Sequence, residues 1–433
     1  MDLTLLIGII LLITYFGLIY YAARGGNLMV GFLIMAVIWT ALSIFGGELT
    51  WDGAMTNIFQ GGPESWGATA VNVIFGSWFG RVLVDTGIAA KLIRSVTELG
   101  GDNPVIVTIL LSIVTGVIFT STFGAGAVVA IGIIVLPILM SLGVSKVLAV
   151  TTYLMSVGSG MYINTVLFSQ MQAIFPDMAY DSSYLTWAFP AMFIQLLFIA
   201  LMIMFNSRRK KKKKRKAWAL KVDNTETTDN DIPGIAMITP IIPTTLSILF
   251  GWLTIPAFIV GALFGLAITG HLTSYKEATR KISSTFYDGV IDVASLLGFL
   301  FILPMFNRIA GVAAPFFEPI LGSILPTATI GLVLVFIILA PSGLFRGPLT
   351  IFGAGAATVG VINAIGSFST PFLFTLMYVP TIAMNLSACP TQSWNLWALD
   401  YSKVSVKDFM MTGLPWAWLI SAANLMLVYF NFG

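Results

Sequence analysis

A series of apolar runs, each long enough to cross the roughly 30 Å hydrocarbon core of a bilayer, constrains this chain more than any other feature. The chain is 57% hydrophobic and 9% charged, whereas a soluble globular chain carries about 25% charged residues. The sequence therefore predicts an all-α polytopic membrane protein. We interpret the runs as about ten crossings, near residues 3–22, 28–46, 66–86, 146–172, 185–206, 236–252, 254–270, 287–304, 370–388 and 411–431.

The first run, 3–22, has no basic leader and is followed directly by a second run. These features favour a retained membrane helix, and the alternative is a cleaved signal peptide. Segments 51–60 and 273–285 mix charged and apolar residues. We expect both of them to lie along the membrane interface.

Two further apolar stretches, 104–142 and 325–366, are too long for one crossing, and each is interrupted near its centre. We call the interruptions tip 1, residues 120–127, and tip 2, residues 341–348. Non-helical backbone is tolerated at membrane depth only where protein or a water-filled cavity satisfies its polar groups. We predict that each stretch is a re-entrant helical hairpin. The alternative is two ordinary crossings joined by a surface turn.

Basic residues predict the orientation, because Lys and Arg collect on the cytoplasmic side of a membrane. If each broken stretch enters and leaves on one face, nineteen of the twenty-two Lys and Arg residues fall on one side. Both termini then lie outside the cell, and the linker 207–233 lies in the cytoplasm. Two crossings per stretch would give the same sidedness. We expect the cytoplasmic (inner) membrane of the cell as the location.

The predicted layout divides the chain into two halves of opposite orientation joined by the linker 207–233. The first inverted repeat covers 1–206 with the hairpin 104–142, and the second covers 234–433 with the hairpin 325–366. A shift of 231 residues pairs Asn164 with Asn395. Both halves follow the same order of spans, broken hairpin and interrupted span, which is typical of secondary transporters.

The linker begins with nine consecutive basic residues, 208–216. Such a run could bind nucleic acid, but beside a membrane span it more often lies against anionic lipid. We expect membrane lipid as the partner and no nucleic acid.

Four polar interruptions converge in this layout. They are the two tips, break 1 at residues 156–164, and break 2 at residues 387–395. A half-helix that begins at a tip aims free N–H groups and a partial positive charge at the midplane, which suits a carboxylate. Unwound carbonyls and nearby side-chain oxygens can replace the water around a small cation. The sequence therefore predicts neighbouring anion and cation sites.

Arg346 is the sharpest candidate, because an arginine at membrane depth is costly unless it is paired or faces a cavity. Its planar fork suits two-point capture of a carboxylate, and the alternatives are a structural ion pair or a side chain that reaches the outer surface. The predicted anion-binding residues are Thr120, Ser121, Thr122, Gly124, Gly126, Ser342, Gly343, Arg346 and Gly347. The predicted coupling-ion or pocket residues, a possible Na⁺ site, are Ser159, Gly160, Asn164, Thr391, Gln392 and Asn395.

Acidic residues offer one candidate proton carrier. Asp288 and Asp292 lie near the cytoplasmic start of a span. Asp292 could carry a proton if it is buried, and the alternative is that both acids belong to a solvated helix start. Arg81 and Asp85 are one helical turn apart and are expected to pair. No acid occupies a tip or a break. The coupling ion is predicted to be Na⁺ or H⁺, with no other cofactor.

Cysteine and histidine are nearly absent, since Cys389 and His271 are the single examples of each. This excludes a disulfide framework and makes a metalloenzyme or a triad hydrolase improbable. We predict that the chain is not an enzyme, because no nucleophile–base pair or metal-ligand cluster is evident.

The chain resembles secondary carriers of the ion-transporter superfamily, which includes the gluconate permease, citrate transporter, anaerobic dicarboxylate carrier and divalent-anion sodium symporter families. Residues 74–87, 392–397 and 404–409 are similar to segments of gluconate permeases. The resemblance implies inverted repeats, a homodimer-forming scaffold and a transport domain that moves as an elevator. In divalent-anion carriers the hairpin tips bear Ser-Asn-Thr. Neither tip of this chain contains that Asn, and tip 2 carries Arg346.

Together these features predict cation-coupled symport of a small organic anion, a mono- or dicarboxylate, by alternating access. Coupling requires that cation and anion favour the same state of the carrier. One alternative is a Na⁺/H⁺ antiporter of the same superfamily, in which Asp292 would exchange a proton. An alternative from another class is a passive anion channel.

Overall fold

A computed structural model describes residues 3–24, 26–101, 103–208, 232–322, 326–365 and 368–433. Within these ranges the regular structure is entirely helical, and the prediction of an all-α polytopic membrane protein is confirmed. Nearly all of the linker, including the basic run from residue 209 onward, lies outside the described residues.

The first half begins with two apolar helices and a third that follows short helical turns at Trp51–Gly53 and Gly61–Glu64. A π-helical segment, Ala54–Gln60, separates those turns. The helices are α1 (Leu3–Ala23), α2 (Leu28–Phe45), α3 (Gly67–Asp85), α4 (Ile88–Gly100), α5 (Pro104–Phe119), α6 (Ala125–Ser141), α7 (Lys146–Gly160), α8 (Thr165–Gln172) and α9 (Ser182–Arg208).

The second half begins with a short helical segment and ends with a 27-residue helix. After a 3₁₀ segment at Gly234–Ile241, its helices are α10 (Ile242–Phe250), α11 (Thr254–Ile268), α12 (Tyr275–Val312), α13 (Thr329–Leu339), α14 (Gly355–Ile365), α15 (Thr370–Pro380), α16 (Ser393–Ser402) and α17 (Val406–Phe432). Before the first broken stretch stands the 13-residue helix α4, whereas a four-residue turn, Glu318–Leu321, stands before the second. The internal repeat and the inverted relation of the halves stay predictions.

Seven helical stretches in the described residues are long and apolar enough to cross a membrane. They are Leu3–Tyr21, Leu28–Phe45, Trp51–Asp85, Ser182–Asn206, Tyr275–Val312, Thr329–Arg346 and Val406–Phe432. Five shorter apolar helices accompany them, including both arms of the first broken stretch. At 1.5 Å per residue those arms are only about 24–26 Å long, slightly short of the hydrocarbon thickness. This length suits a hairpin more than two full crossings.

The two segments expected along the interface are built differently in the structure. Residues 51–60 continue through helical turns into α3, and residues 275–285 form the start of the 38-residue helix α12. A side-chain cap explains the early start of α12, because Ser274 accepts a hydrogen bond from the Glu277 backbone N–H at 3.3 Å. The charged segment is therefore the extension of a membrane helix.

Helices α3 and α12 connect the two halves. They cross at Gly289, where an added Cβ would lie 2.8 Å from the Trp78 Cα. The Ser77 hydroxyl donates to the Gly289 carbonyl at 2.8 Å, and the Trp78 indole N–H donates to Thr285 Oγ1 at 3.1 Å. Side-chain donors are satisfied at this crossing, so the two halves share one tightly packed framework.

Candidate functional site

Tip 1 is enclosed by protein. Helix α5 ends at Phe119 and α6 begins at Ala125, with Gly124 between them at φ +115°. That backbone conformation favours glycine, and an added Cβ would lie 2.9 Å from Val293. The other tip residues before α6, Thr120, Ser121, Thr122 and Phe123, are each at most 4% exposed. This burial is what irregular backbone at membrane depth requires.

Asn164 joins tip 1 to break 1. Its amide Nδ2 donates to the carbonyl oxygens of Phe119 at 2.8 Å and Thr122 at 3.0 Å. Its Oδ1 accepts from the N–H groups of Val166 at 3.0 Å and Leu167 at 2.9 Å, which caps α8. All of these hydrogen bonds are made within the protein, so Asn164 ties tip 1 to break 1 and its Oδ1 is already occupied by two N–H groups.

Break 1 also packs directly on the end of α5. An added Cβ at Gly160 would lie 2.2 Å from the Gly116 carbonyl oxygen and 2.7 Å from the Phe119 carbonyl carbon. Ser159, beside it, is buried and donates to the Ser156 carbonyl at 2.7 Å. The close approach of two backbones makes Gly160 a packing residue.

The hydroxyl groups of tip 1 already have partners. Thr120 donates to the Val117 carbonyl at 2.7 Å, and Thr122 donates to the Ile118 carbonyl at 2.9 Å. Ser121 Oγ lies 2.5 Å from Thr244 Oγ1 on α10. Their role in binding an anion stays a prediction.

Tip 2 has a strained backbone. Phe345 and Arg346 are consecutive non-glycine residues with φ of 54° and 62°, a conformation that costs roughly 1–2 kcal/mol per residue. The Phe345 N–H donates to Cys389 Sγ in break 2 at 3.2 Å. Gly347 fits where an added Cβ would lie 1.9 Å from the Ser342 carbonyl oxygen. Strain retained at one point of a fold is typical of functional sites.

The second half-helix does not begin at tip 2 as expected. Pro348 has no N–H, and the chain turns at residues 348–354 before α14 begins at Gly355. The Thr350 carbonyl accepts from the N–H of Gly353 at 3.1 Å and of Gly355 at 3.0 Å. At tip 2, positive charge is therefore supplied by the Arg346 side chain and not by a helix start.

Arg346 is held by two neutral amides. Its Nη1 donates to Asn385 Oδ1 at 3.3 Å, and its Nη2 donates to Gln392 Oε1 at 2.6 Å. Its Cζ lies 5.6 Å from the ring centroid of Phe299 and 5.7 Å from that of Phe352, within cation–π range. Among the described residues, no carboxylate lies within 4.0 Å of this guanidinium. The described residues therefore supply no carboxylate to neutralise the charge of Arg346.

The remaining predicted residues lie around this arginine or in break 2. The Ser342 hydroxyl donates to the Leu339 carbonyl at 2.7 Å, and Gly343 packs on Met384. Thr391 Oγ1 lies 3.0 Å from Cys389 Sγ. Asn395 Nδ2 donates to the Leu386 and Cys389 carbonyls at 3.2 and 2.9 Å. Asn395 Oδ1 is buried and has no partner among the described residues.

The two tips approach neighbouring residues of break 2. The Phe123 ring of tip 1 lies 6.1 Å from the Trp394 ring, while Arg346 of tip 2 binds Gln392. Both tips also contact α12, through Val293 at tip 1 and Phe299 at tip 2. Tip 1, tip 2 and break 2 therefore surround one region beside α12.

Asp292 belongs to an ion-pair cluster behind tip 1. Its Oδ2 lies 3.2 Å from Arg81 Nε, and Arg81 Nη1 lies 3.7 Å from Asp85 Oδ1. The expected pairing of Arg81 with Asp85 is thus present. An added Cβ at Gly126 would lie 2.1 Å from Asp292 Oδ2. The carboxylate therefore lies directly against the start of α6.

Sequence reasoning missed several residues of this site, including Asn385, Phe299 and Phe352. One signal was available, because Asn385 lies two residues before break 2, which also contains Cys389 and Gln392. All three contact tip 2. Phe299 carried no comparable signal, since it is one phenylalanine among thirty-two.

No protein-family model matches the chain, and no curated protein matches it by sequence. Solved structures do. The YdaH transporter of Alcanivorax borkumensis, whose topology is described as unusual, aligns with a TM-score of 0.63 at 14% identity, covering 93% of this chain and 98% of its own. MtrF of Neisseria gonorrhoeae, described with a class of antimetabolite efflux pumps, aligns at 0.50 and 16% identity, covering 95% and 96%. The chain is a multi-pass membrane protein that shares its fold with these two proteins.

Proposed function

We propose that the chain is a secondary active transporter that binds a small organic anion, a mono- or dicarboxylate, at Arg346. The observation that carries the proposal is the contact set of this arginine, which includes two amide oxygens and no carboxylate among the described residues. An arginine fork that lacks an internal carboxylate suits a carboxylate from outside. The transporter fold favours this function over enzymatic catalysis.

The proposed mechanism is symport by alternating access, with Na⁺ or H⁺ as the coupling ion. Asn395 Oδ1, buried and without a partner among the described residues, is a candidate oxygen for Na⁺. Asp292 is the candidate for H⁺, because it lies between Arg81 and the start of α6. The elevator motion, the homodimer and the kinship with gluconate, citrate and dicarboxylate carriers belong to this proposal as implications of the sequence resemblance.

A second candidate function is Na⁺/H⁺ antiport, favoured by the Asp292–Arg81–Asp85 cluster. The cluster lies beside a moving element in the proposed mechanism, so a proton could exchange there without any organic anion. Export is a further variant of the first candidate, since MtrF is described with efflux pumps. The assay must therefore measure import and export, each with a Na⁺ gradient and with a pH gradient.

Transport into proteoliposomes tests the proposal. The purified protein is supplied with labelled succinate, citrate or gluconate under an imposed Na⁺ gradient or pH gradient of either direction. We expect at least one anion to accumulate against its own gradient, and an ionophore that collapses the driving gradient to abolish the accumulation. Downhill flux alone would support a channel. Cation exchange without any anion flux would support the antiporter.

Asp292→Asn tests proton coupling. The variant removes the titrating group and weakens the pairing with Arg81 while it keeps the side-chain volume that contacts Gly126. We expect loss of accumulation driven by a pH gradient, while exchange of labelled for unlabelled anion continues at close to the wild-type rate. Ser284→Ala, on an exposed part of the same helix, is the control. Unchanged accumulation in Asp292→Asn would assign coupling to another group.

A further inference from the structure

Asn385 lies beside Arg346 with one of its two hydrogen-bonding atoms unused. The residue is 0% exposed, and its Oδ1 accepts from Arg346 Nη1 at 3.3 Å. Because a guanidinium has only donors, this contact fixes the orientation of the amide. The Nδ2 donor must then face elsewhere, and it has no partner among the described residues.

Arg346 has a matching unused donor. Two of its terminal N–H groups bind Asn385 and Gln392, while its Nε is buried and has no hydrogen-bond partner within the described part of the chain. Both unused groups of this contacting pair are donors. A buried donor without an acceptor is costly, so the pair suits a ligand that supplies acceptor oxygens.

The backbone around Asn385 explains how its side chain reaches tip 2. Pro380 ends α15, and residues Thr381–Leu386 form a π-helical turn. Proline removes one backbone N–H and displaces the preceding turn, and single π-helical turns occur frequently at functional sites. Break 2 follows at once, and Gln392 within it holds the other arm of the Arg346 fork.

We infer that Asn385 is a substrate-binding residue, whose Nδ2 donates to the same carboxylate group that Arg346 binds. The inference rests on the proposed function and adds to it a second, uncharged donor. Two donors from two elements, tip 2 and the segment before break 2, recognise a planar anion with two oxygens better than a monatomic anion. The site should therefore prefer carboxylates over chloride.

Asn385→Leu tests this role, because leucine keeps the approximate volume and removes both polar atoms. We expect binding of the stabilising acid, chosen from succinate, citrate and gluconate by its effect on the wild-type melting temperature, to weaken about tenfold. In transport we expect KM to rise by a similar factor while kcat changes little. Thr375→Val is the control, since Thr375 is fully buried and bonds only within α15.

Asn385→Asp is the second variant. It tests whether Asn385 contacts the substrate in case Asn385→Leu is destabilised and melts at a lower temperature without ligand. It is isosteric, it turns the unused donor into an acceptor, and it gives Arg346 an internal carboxylate. We expect it to abolish stabilisation by the acid. If both variants bind the acid as the wild type does, Asn385 does not contact the substrate.

Failure of the proposed function can be distinguished from failure of the role of Asn385 alone. If Arg346→Ala also binds the acid normally, or if no acid stabilises the wild type, the proposed function itself is contradicted. If Arg346→Ala loses binding while both Asn385 variants retain it, only the role of Asn385 is overturned. A chloride titration of the wild type supplies the selectivity readout, and tighter binding of chloride than of the acid would also contradict the inference.

Discussion

Arg346→Ala is expected to lower kcat/KM for anion transport by at least about 100-fold, which corresponds to roughly 2.7 kcal/mol of lost binding to the transported anion. The variant removes the guanidinium, which carries the positive charge of tip 2. It also removes the two hydrogen bonds from this group to Asn385 and Gln392. Arg346→Lys keeps the charge and loses the fork, so we expect an intermediate loss of about tenfold. Initial rates of labelled-anion uptake over a range of concentrations measure both effects.

Arg308→Ala is the matched control for this experiment. Arg308 lies on α12 and donates from Nη1 to the Asn57 carbonyl at 2.9 Å, apart from either tip. We expect the control to transport within about twofold of the wild type. If Arg346→Ala keeps wild-type transport while it folds normally, the anion binds elsewhere and the proposed site is incorrect.

Gly160→Ala is expected to destabilise the folded protein by about 3 kcal/mol or more, near the upper end for overpacked cores. The added methyl group would meet backbone atoms, the Gly116 carbonyl oxygen at 2.2 Å, the Phe119 carbonyl carbon at 2.7 Å and the Thr120 nitrogen at 2.9 Å. Backbone in two packed segments cannot move aside as a flexible side chain can. We expect a lower yield of monodisperse protein and a clearly lower melting temperature in detergent.

Gly17→Ala controls for the change of residue type. Gly17 is in α1, and an added Cβ there would meet nothing within 4 Å. Alanine in a helix is favoured over glycine by about 0.5–1 kcal/mol, so this variant should melt at or slightly above the wild-type temperature. Equal melting temperatures for the two variants would show that break 1 and α5 are not in close contact.

The positions of helices and interruptions could be predicted well from the sequence, because they depend on local chemistry. Apolar runs specify membrane helices, and Gly124 and Pro348 lie in the interruptions that the sequence shows. The 38-residue length of α12 was not predicted, since charge and a serine cap are compatible both with an interfacial segment and with the first turns of a long helix.

The partners of the site residues could not be predicted, because they are set by contacts between distant parts of the chain. Arg81 meets Asp292 although 211 positions separate them, and the sequence paired it only with Asp85. The expected equivalence of Asn164 and Asn395 is inexact for the same reason. Asn164 binds the carbonyls of Phe119, next to tip 1, and Thr122, within it, whereas Asn395 binds carbonyls next to and within its own break.

Helix α12 contacts the hairpin 104–142 at Asp292 and the hairpin 325–366 at Phe299, and these two residues are seven positions and therefore about 10 Å apart along the helix. The proline inside α12 is Pro304, outside the segment between these two residues, so the helix holds them at a fixed separation. If either hairpin slides along α12 by more than a few ångströms, the contact of the Asp292 carboxylate with Gly126 or that of the Arg346 guanidinium with the Phe299 ring is lost. If the proposed alternating access moves either hairpin along α12 in this way, each cycle breaks and remakes that contact.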